Sequence, residues 1–268
     1  MHKGVLTKMR TEFGSPIQYF LQLGEDELHV NGLLGEQVKL TFTGYQCLNC
    51  GSRQKIYRMG HCYDCFYKIP QTADWIIRPE LSKAHLGEED RDLAFEQQVQ
   101  LTPHIVYLAL SSNVKVGVTR KSQVPTRWID QGATAALEII EAPNRYLAGI
   151  AEVALKEFVA DKTNWRKMLK NEVEQADLFE FRDKLSQYIP EEVRPYFLSG
   201  STEKWALDFP VHQYPTKVKS LNLTKTPLFE ERLVGIKGQY LLFEDDTVFN
   251  VRGNEGFVVE LSFAKAAF

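Results

Sequence analysis

The four cysteines of this chain constrain its fold more than any other feature. They form two pairs, Cys47 with Cys50 and Cys62 with Cys65, and the rest of the 268 residues contain no cysteine. A CxxC turn presents two thiolates to one side of a cation, so two such turns complete a tetrahedral zinc site. Four thiolates leave no open coordination position, which predicts a structural zinc in a compact knuckle or short ribbon. Free buried cysteines and a redox CxxC are the alternatives.

Basic and aromatic residues alternate around these cysteines. The basic residues are Arg53, Lys55, Arg58 and Lys68, and the aromatic residues among them are Tyr57, Tyr63, Phe66 and Tyr67. Such a mixture binds phosphates and stacks on bases. We therefore interpret Arg53, Lys55 and Arg58 as nucleic-acid-binding residues. The alternative is a solvated basic face above aromatic side chains that belong to the core.

The order of predicted elements indicates an α+β fold. Residues 1–103 form a predicted β-rich N-terminal region, with the zinc knuckle at 47–65, and residues 215–268 form a β-rich C-terminal region. Between them, residues 104–170 show the order strand, strand, helix, strand, helix, helix. Residues 171–214 form a predicted acidic helical segment. The flanks therefore differ in class from the centre of the chain.

The central segment contains the clearest local patterns. His104–Leu110 is a continuous apolar run typical of a buried strand, and Val114–Thr119 follows as the second strand of a predicted hairpin. Asn144 is a predicted N-cap for a helix with apolar residues at helical spacing, and Thr163 is a predicted cap for the next helix. Residues 71–103 are expected to be a connector with little regular structure.

Charge is distributed unevenly along the chain. The net charge of −3 comes from 32 basic and 35 acidic residues, yet residues 101–170 carry ten basic against six acidic residues and residues 171–210 carry four against nine. A basic centre suits a polyanionic partner. No apolar run approaches the roughly 20 residues of a membrane span, and the N-terminus lacks the apolar region of a signal peptide. We therefore expect a cytoplasmic protein without a membrane partner.

Residues 104–107 and 115–119, together with Arg127 and Glu152, resemble the GIY-YIG nuclease superfamily. The branch that they resemble most has a second motif reading KIGxT, and the resemblance covers about residues 104–170. It implies a small mixed α/β core between the β-rich flanks. The whole chain also resembles an uncharacterised bacterial family that joins a CxxC–CxxC segment to such a core.

The nuclease resemblance implies a catalytic set of Tyr107, Lys115, Arg127 and Glu152. Tyr107 would lie near the attacking water, and Lys115 would stabilise phosphate or lower the pKa of Tyr107. Arg127 would bind two phosphate oxygens at once. Glu152 would hold Mg²⁺ or Mn²⁺, because these hard cations prefer carboxylate and water. Phosphodiester hydrolysis needs these parts: an activated water and stabilisation of negative charge.

The same resemblance implies that Gly117, Thr119 and Arg120 contact nucleic acid, with Gly117 letting a phosphate approach the strand. The sequence thus predicts a protein that acts on nucleic acid, a candidate magnesium-dependent GIY-YIG-like endonuclease. A non-catalytic DNA- or RNA-binding module is one alternative. A zinc-stabilised protein-interaction scaffold, with residues 171–210 as its docking surface, is the other. The sequence predicts neither the oligomeric state nor a preference for DNA or RNA.

Overall fold

The computed structural model describes residues 1–159 and 164–264 of the chain, so the predicted cap Thr163 lies outside the described residues. The protein is α+β, as predicted. It divides into two compact units. Unit 1 consists of Met1–Tyr67, Leu169–Asn171 and Leu207–Phe268, and unit 2 consists of Lys68–Met168 and Glu172–Ala206.

Strands dominate both ends of the chain, and the α-helices lie between them. The strands are β1 (His2–Val5), β2 (Arg10–Glu12), β3 (Gln18–Leu23), β4 (Asp26–His29), β5 (Gln37–Tyr45), β6 (His104–Leu110), β7 (Val114–Arg120), β8 (Ala135–Ala142), β9 (Trp205–Ala206), β10 (Lys219–Ser220), β11 (Leu228–Lys237), β12 (Tyr240–Phe243), β13 (Thr247–Asn250) and β14 (Phe257–Ala264). The α-helices are α1 (Tyr63–Lys68), α2 (Leu93–Gln100), α3 (Thr126–Asp130), α4 (Arg145–Leu155), α5 (Trp165–Leu169) and α6 (Leu178–Leu185). Short 3₁₀ helices cover Val30–Leu33, Pro70–Thr72, Asp74–Ile76, Pro79–Leu81, Ala84–Leu86, Lys121–Gln123, Ser186–Tyr188, Arg194–Tyr196 and Arg252–Asn254. Among the described residues, no helix combines the length and apolarity that a membrane crossing needs.

Unit 1 unites the two ends of the chain in one sheet. Its seven strands lie in the order β1-β14-β5-β11-β12-β13-β10, and a second sheet has the order β2-β3-β4. Strand β14 pairs antiparallel with both β1 and β5. The sequence indicates the two β-rich regions as separate segments, but their strands pair with each other through backbone hydrogen bonds.

A buried lysine ties residues 169–171 to unit 1. The Nζ atom of Lys237 donates a hydrogen bond of 2.8 Å to Oδ1 of Asn171. The same ammonium group lies over the rings of Phe209 and Tyr214, at 5.5 Å and 5.3 Å from their centroids. Burial lowers the pKa of Lys237 to about 8. The amide and the aromatic rings partly replace the water that this cation loses on folding.

Unit 2 is built on an antiparallel sheet in the order β7-β6-β8-β9. The predicted hairpin is present as β6 and β7, which pair from His104↔Arg120 to Leu110↔Val114. One face of the sheet buries Val106, Leu108 and Val116. Helices α4 and α6 supply the facing side chains, which include Ala148, Ala151, Leu155, Leu178 and Leu185. The elements of residues 104–169 follow the predicted order of strands and helices.

The segment 71–103 is more regular than the sequence suggests. It contains 3₁₀ turns and helix α2, whose N-cap Asp92 accepts a hydrogen bond of 2.9 Å from the backbone N–H of Phe95. The buried carboxylate of Glu96 accepts hydrogen bonds from the backbone N–H groups of residues 90–92. These local bonds order a stretch that lacks apolar periodicity, so the prediction of a largely irregular connector is wrong.

Candidate functional site

The four cysteines converge in unit 1. Their sulfur atoms all lie within 4.8 Å of one another, and the sulfurs of Cys50 and Cys62 are 3.8 Å apart. A tetrahedron with metal–sulfur bonds of about 2.3 Å has edges of about 3.8 Å. A separation of 3.8 Å also exceeds the roughly 2.05 Å of a disulfide bond, and all four cysteines are free. The cluster is therefore compatible with one structural metal ion.

Tight turns bring the sulfurs together. The backbone N–H of Gly51 bonds to the carbonyl of Cys47, and that of Leu48 bonds to the carbonyl of Gly60, each at 2.9 Å. Gly51 has a φ of 71° and Gly60 a φ of 76°, a region that side chains disfavour. The second CxxC pair leads directly into α1, which begins at Tyr63 and contains Cys65. Both predicted knuckles are thus formed by local backbone geometry.

Hydrogen bonds and crowding shift the thiol pKa values in opposite directions. Burial raises the pKa of Cys47, but donation from the backbone N–H groups of Cys50, Cys62 and Asn49 outweighs burial and lowers it to about 5. For Cys65, the Asn49 side chain lowers the pKa, while burial and the three neighbouring thiols raise it to about 12. Four adjacent thiols ionise together only when a cation offsets their mutual repulsion, as a bound metal does.

We call residues 45–67, which carry the four cysteines, the metal loop. The basic residues of this loop are exposed. Arg53, Lys55 and Arg58 all face solvent, and the guanidinium of Arg58 lies 5.6 Å from the ring centroid of Tyr57. Tyr57, Tyr63 and Tyr67 are exposed as well, so the alternative that they are core aromatics is wrong. These basic residues belong to unit 1, whereas the predicted catalytic residues belong to unit 2.

The hairpin of unit 2 places Tyr107 directly opposite Gly117. Lys115 and Thr119 lie two residues to either side of Gly117 and therefore share its face of the sheet. A Cβ atom on Gly117 would lie only 2.6 Å from the phenol oxygen of Tyr107. The space above Gly117 is filled by the Tyr107 ring and is not open to a phosphate, which differs from the role that the sequence suggests for this glycine.

Tyr107 is buried and held by the α3 region. Its hydroxyl donates a hydrogen bond of 3.1 Å to Oε1 of Gln131, and its ring packs edge-on against Trp128 with centroids 5.7 Å apart. Burial raises the pKa of Tyr107, although the charge of Arg127 and hydrogen bonds with Arg127 and Gln131 act against burial. The net direction is opposite to the lowering by Lys115 that the sequence suggests, so Tyr107 stays protonated at neutral pH.

Lys115 is buried and Glu152 is half-buried, and both lie close enough to Arg127 for its charge to act on them. Lys115 is 6% exposed, and burial together with the positive charge of Arg127 lowers its pKa to about 7. Burial and the charge of Glu80 raise the pKa of Glu152 to about 7, while the charges of Lys156, Arg145 and Arg127 act in the opposite direction. The charge of Arg127 thus shifts the pKa values of three groups, those of Tyr107, Lys115 and Glu152. We call these four predicted residues the Arg127 neighbourhood.

Arg145 is a further member of this neighbourhood that the sequence did not reveal. Its guanidinium donates hydrogen bonds to the carbonyls of Trp75 and Ile76, at 3.1 Å and 2.7 Å. Burial lowers the pKa of Arg145 to about 10, and the nearby charge of Glu152 partly opposes this. Arg145 follows the N-cap Asn144 at the start of α4, where the sequence offers no sign that a distant 3₁₀ turn covers it.

Thr119 and Arg120 are the last two residues of β7. Thr119 is buried and its hydroxyl donates to the carbonyl of Arg120 at 3.4 Å. Arg120 is half-buried and lines a surface groove of about 580 Å³ together with Lys121, Ser122 and Phe95. Its charge also acts on Arg145 and His104. Arg120 is therefore the more exposed of the two residues.

A family model described as "Protein of unknown function (DUF2797)" matches residues 35–259, well over half of the chain. The chain belongs to this family. This confirms the predicted membership of an uncharacterised family. No curated protein and no solved structure matches the chain. The DUF2797 region includes both the cysteine cluster and the Arg127 neighbourhood, and the GIY-YIG resemblance stays a prediction from the residues.

Proposed function

We propose that this DUF2797 protein binds a phosphate of a nucleic acid at the Arg127 neighbourhood and hydrolyses the phosphodiester with the help of Mg²⁺ or Mn²⁺. One observation supports this most: the charge of Arg127 acts on the buried amine of Lys115, and the charges of Arg127 and Arg145 act on the carboxylate of Glu152. The buried cations Lys115 and Arg145 and the half-buried Arg127 favour an anion, and guanidinium groups match phosphate geometry. The basic charge balance of residues 101–170 agrees with a polyanionic ligand.

Each side chain has a role that its chemistry permits. Arg127 and Lys115 would bind the phosphate oxygens and stabilise the charge that develops on them. Tyr107 is a protonated phenol at neutral pH, so it would act as a hydrogen-bond donor to the phosphate or the water and not as a base. Arg145 would position Glu152 by its charge, while its guanidinium donates hydrogen bonds to the backbone carbonyls of Trp75 and Ile76.

Glu152 would hold the divalent cation. Among the described residues, the four cysteines form a group of three or more metal-ligating side chains, and Glu152 belongs to no such group. Glu152 would therefore bind the cation with help from water and substrate oxygens, which is the usual way in which proteins bind Mg²⁺. When bound, such a cation supplies Lewis-acid stabilisation of the phosphate and of the leaving oxygen.

We further propose Zn²⁺ as the metal of the cysteine cluster. Zinc accepts four thiolates in a tetrahedron without a preference from d electrons, and a closed four-thiolate site is structural. Cysteines that serve as metal ligands fit a reducing compartment such as the cytoplasm. The zinc would fix the loops of unit 1 and take no part in the hydrolysis.

A non-catalytic nucleic-acid-binding module is the second candidate. The hydroxyl of Tyr107 already donates a hydrogen bond to Gln131, and the Tyr107 ring fills the space over Gly117. Both contacts suit a packed site that binds phosphate without cleaving it. The third possibility, a scaffold that docks a protein on the acidic segment, receives less support because α6 buries Leu178 and Leu185 in the core of unit 2.

The test is a cleavage and binding assay with plasmid DNA, structured RNA and tRNA, each with Mg²⁺, Mn²⁺ or EDTA. We expect metal-dependent cleavage that Glu152→Gln abolishes and Arg127→Ala reduces together with binding. Glu157→Gln is the matched control, because it removes the same charge from an exposed position just after α4. Salt-sensitive binding without cleavage would favour the module. Absence of binding at low salt would overturn both the hydrolase and the non-catalytic module.

A further inference from the structure

Three tyrosines of the metal loop are unusually exposed for large aromatic side chains. Tyr63 is 60% exposed, Tyr67 51% and Tyr57 41%. Aromatic side chains bury large areas and dominate protein cores and interfaces, so a cluster of exposed rings indicates a surface that meets a partner. We define these three residues as the tyrosine platform.

The rings of the platform are held in place. Tyr57 and Tyr63 have centroids 5.1 Å apart, Tyr63 and Tyr67 4.9 Å, and the hydroxyls of Tyr57 and Tyr67 are 3.1 Å apart. Tyr63 and Tyr67 are four residues apart on α1 and share one face of the helix. Half-buried Phe66 supports the group from one side, with its centroid 5.2 Å from that of Tyr57. Because these rings are already ordered, a ligand that stacks on them pays little additional conformational entropy.

The metal loop connects the platform to the cysteine cluster. The backbone N–H of Tyr57 bonds to the carbonyl of His61 at 2.8 Å, next to Cys62. Tyr63 lies inside the second CxxC pair. A metal ion at the cysteines would therefore fix the backbone that carries the platform, so that metal and platform form one structural element.

The charge beside the platform selects the ligand. Residues 45–67 contain three basic residues, Arg53, Lys55 and Arg58, and one acidic residue, Asp64. All three basic side chains are exposed. Flat apolar rings next to cations fit a ligand that offers flat bases at regular intervals along a negatively charged backbone. In a duplex the bases are stacked inside and their faces are closed to such rings, so the platform fits single strands.

We propose that the tyrosine platform binds single-stranded nucleic acid by base stacking, with Arg53, Lys55 and Arg58 on the phosphates. This inference rests on the proposed function in one respect, since it specifies the strandedness of the polynucleotide. It concerns unit 1, and its residues are separate from the set proposed for hydrolysis. The two proposals can therefore fail independently.

The experiment measures binding of fluorescent 12-nucleotide oligo(dT) and oligo(U), and of a 12-base-pair duplex, by the full metal-loaded chain. We expect the single strands to bind more tightly than the duplex. Each of Tyr63→Ala and Tyr67→Ala should weaken single-strand binding about five-fold to a hundred-fold, because one stacked base contributes roughly 1–3 kcal/mol. Tyr63→Phe, which keeps the ring, should bind within a factor of about two of the unmodified chain.

Controls separate stacking from misfolding and from the site in unit 2. Metal content should be unchanged in every tyrosine variant, since the substituted side chains are exposed. Tyr188→Ala removes a tyrosine that is also 40% exposed, but in unit 2, and should leave single-strand binding unchanged. Arg58→Ala should lower the slope of log affinity against log salt by about 0.7, as expected for one lost phosphate contact on a single strand.

The outcomes distinguish this inference from the proposed hydrolysis. Tyrosine-dependent single-strand binding in a chain that cleaves nothing would support the platform and refute the hydrolase. Cleavage by Tyr63→Ala and Tyr67→Ala with unchanged single-strand affinity would refute the platform alone. Equal affinity for single strand and duplex, or no binding of either, would also overturn the inference and favour a protein partner for these rings.

Discussion

Replacement of Lys115 by methionine should stabilise unit 2 and weaken its binding to phosphate. Lys115 is 6% exposed, and its ammonium group lies near the guanidinium of Arg127. Methionine keeps an unbranched side chain of similar length and removes the charge. If Lys115 serves phosphate binding and not stability, Lys115→Met should raise the free energy of unfolding and lower the affinity for phosphate.

The magnitude follows from the pKa of the buried amine. Burial and Arg127 lower the pKa of Lys115 from 10.5 to about 7. Below pH 7 the folded chain carries the full cost of a buried cation, and this cost fades as the pH rises toward 10.5, because the folded amine is then already neutral. From the two pKa values, the cost is about 5 kcal/mol at pH 6 and about 2 kcal/mol at pH 9.

The assay compares urea unfolding of the two chains at pH 6, 7, 8 and 9 at constant ionic strength, using tryptophan fluorescence. The stability advantage of Lys115→Met should shrink by about 3 kcal/mol from pH 6 to pH 9. Lys167→Met, at an exposed lysine of α5, is the control and should show no such trend. An advantage that is constant or grows with pH would refute the assignment of a buried, charged Lys115.

Further predictions concern the metal, a helix contact and a helix cap. Elemental analysis should find about one zinc per chain, and a chelator should unfold the metal loop, which circular dichroism would show; a chain that is metal-free and unchanged would refute the structural site. Gly149→Ala should destabilise unit 2 by about 1–3 kcal/mol in urea unfolding, since its Cβ would clash with the backbone of Pro79 and Glu80. Asn144→Ala should cost about 1 kcal/mol by removing the acceptor for the N–H of Leu147, and Asn144→Ser should restore most of it.

The features that the sequence predicted correctly are local. The β6–β7 hairpin depends on two apolar runs and a turn, and Asn144 caps α4 as expected, accepting a hydrogen bond of 2.9 Å from Leu147. The cysteines come together because each CxxC spacing fixes a single turn. What the sequence did not predict depends on distant partners. Strand β14 pairs with β1 and β5 across more than 200 residues, and no local pattern encodes that pairing.

In the candidate site, too, local features were predictable from the sequence and contacts with distant partners were not. Hairpin register alone puts Tyr107, Lys115 and Gly117 on one face, and this was accessible from the sequence. Arg145 enters the site because the 3₁₀ turn at Asp74–Ile76 offers carbonyls to its guanidinium. That turn belongs to a segment that the sequence suggested to be irregular. A hydrogen bond between two elements that are distant in the chain leaves no pattern in the sequence of either element.

Two buried lysines of this chain, Lys115 and Lys237, have different surroundings. Lys237 is fully buried in unit 1, where an amide oxygen and two aromatic rings accompany it, and burial lowers its pKa to about 8. Lys115 instead lies close enough to Arg127 for the two positive charges to repel each other. Two adjacent positive charges that are withdrawn from water destabilise the fold that contains them. A phosphate would remove that repulsion, so we expect the anionic ligand to bind beside Lys115 and Arg127 in unit 2 and not beside Lys237.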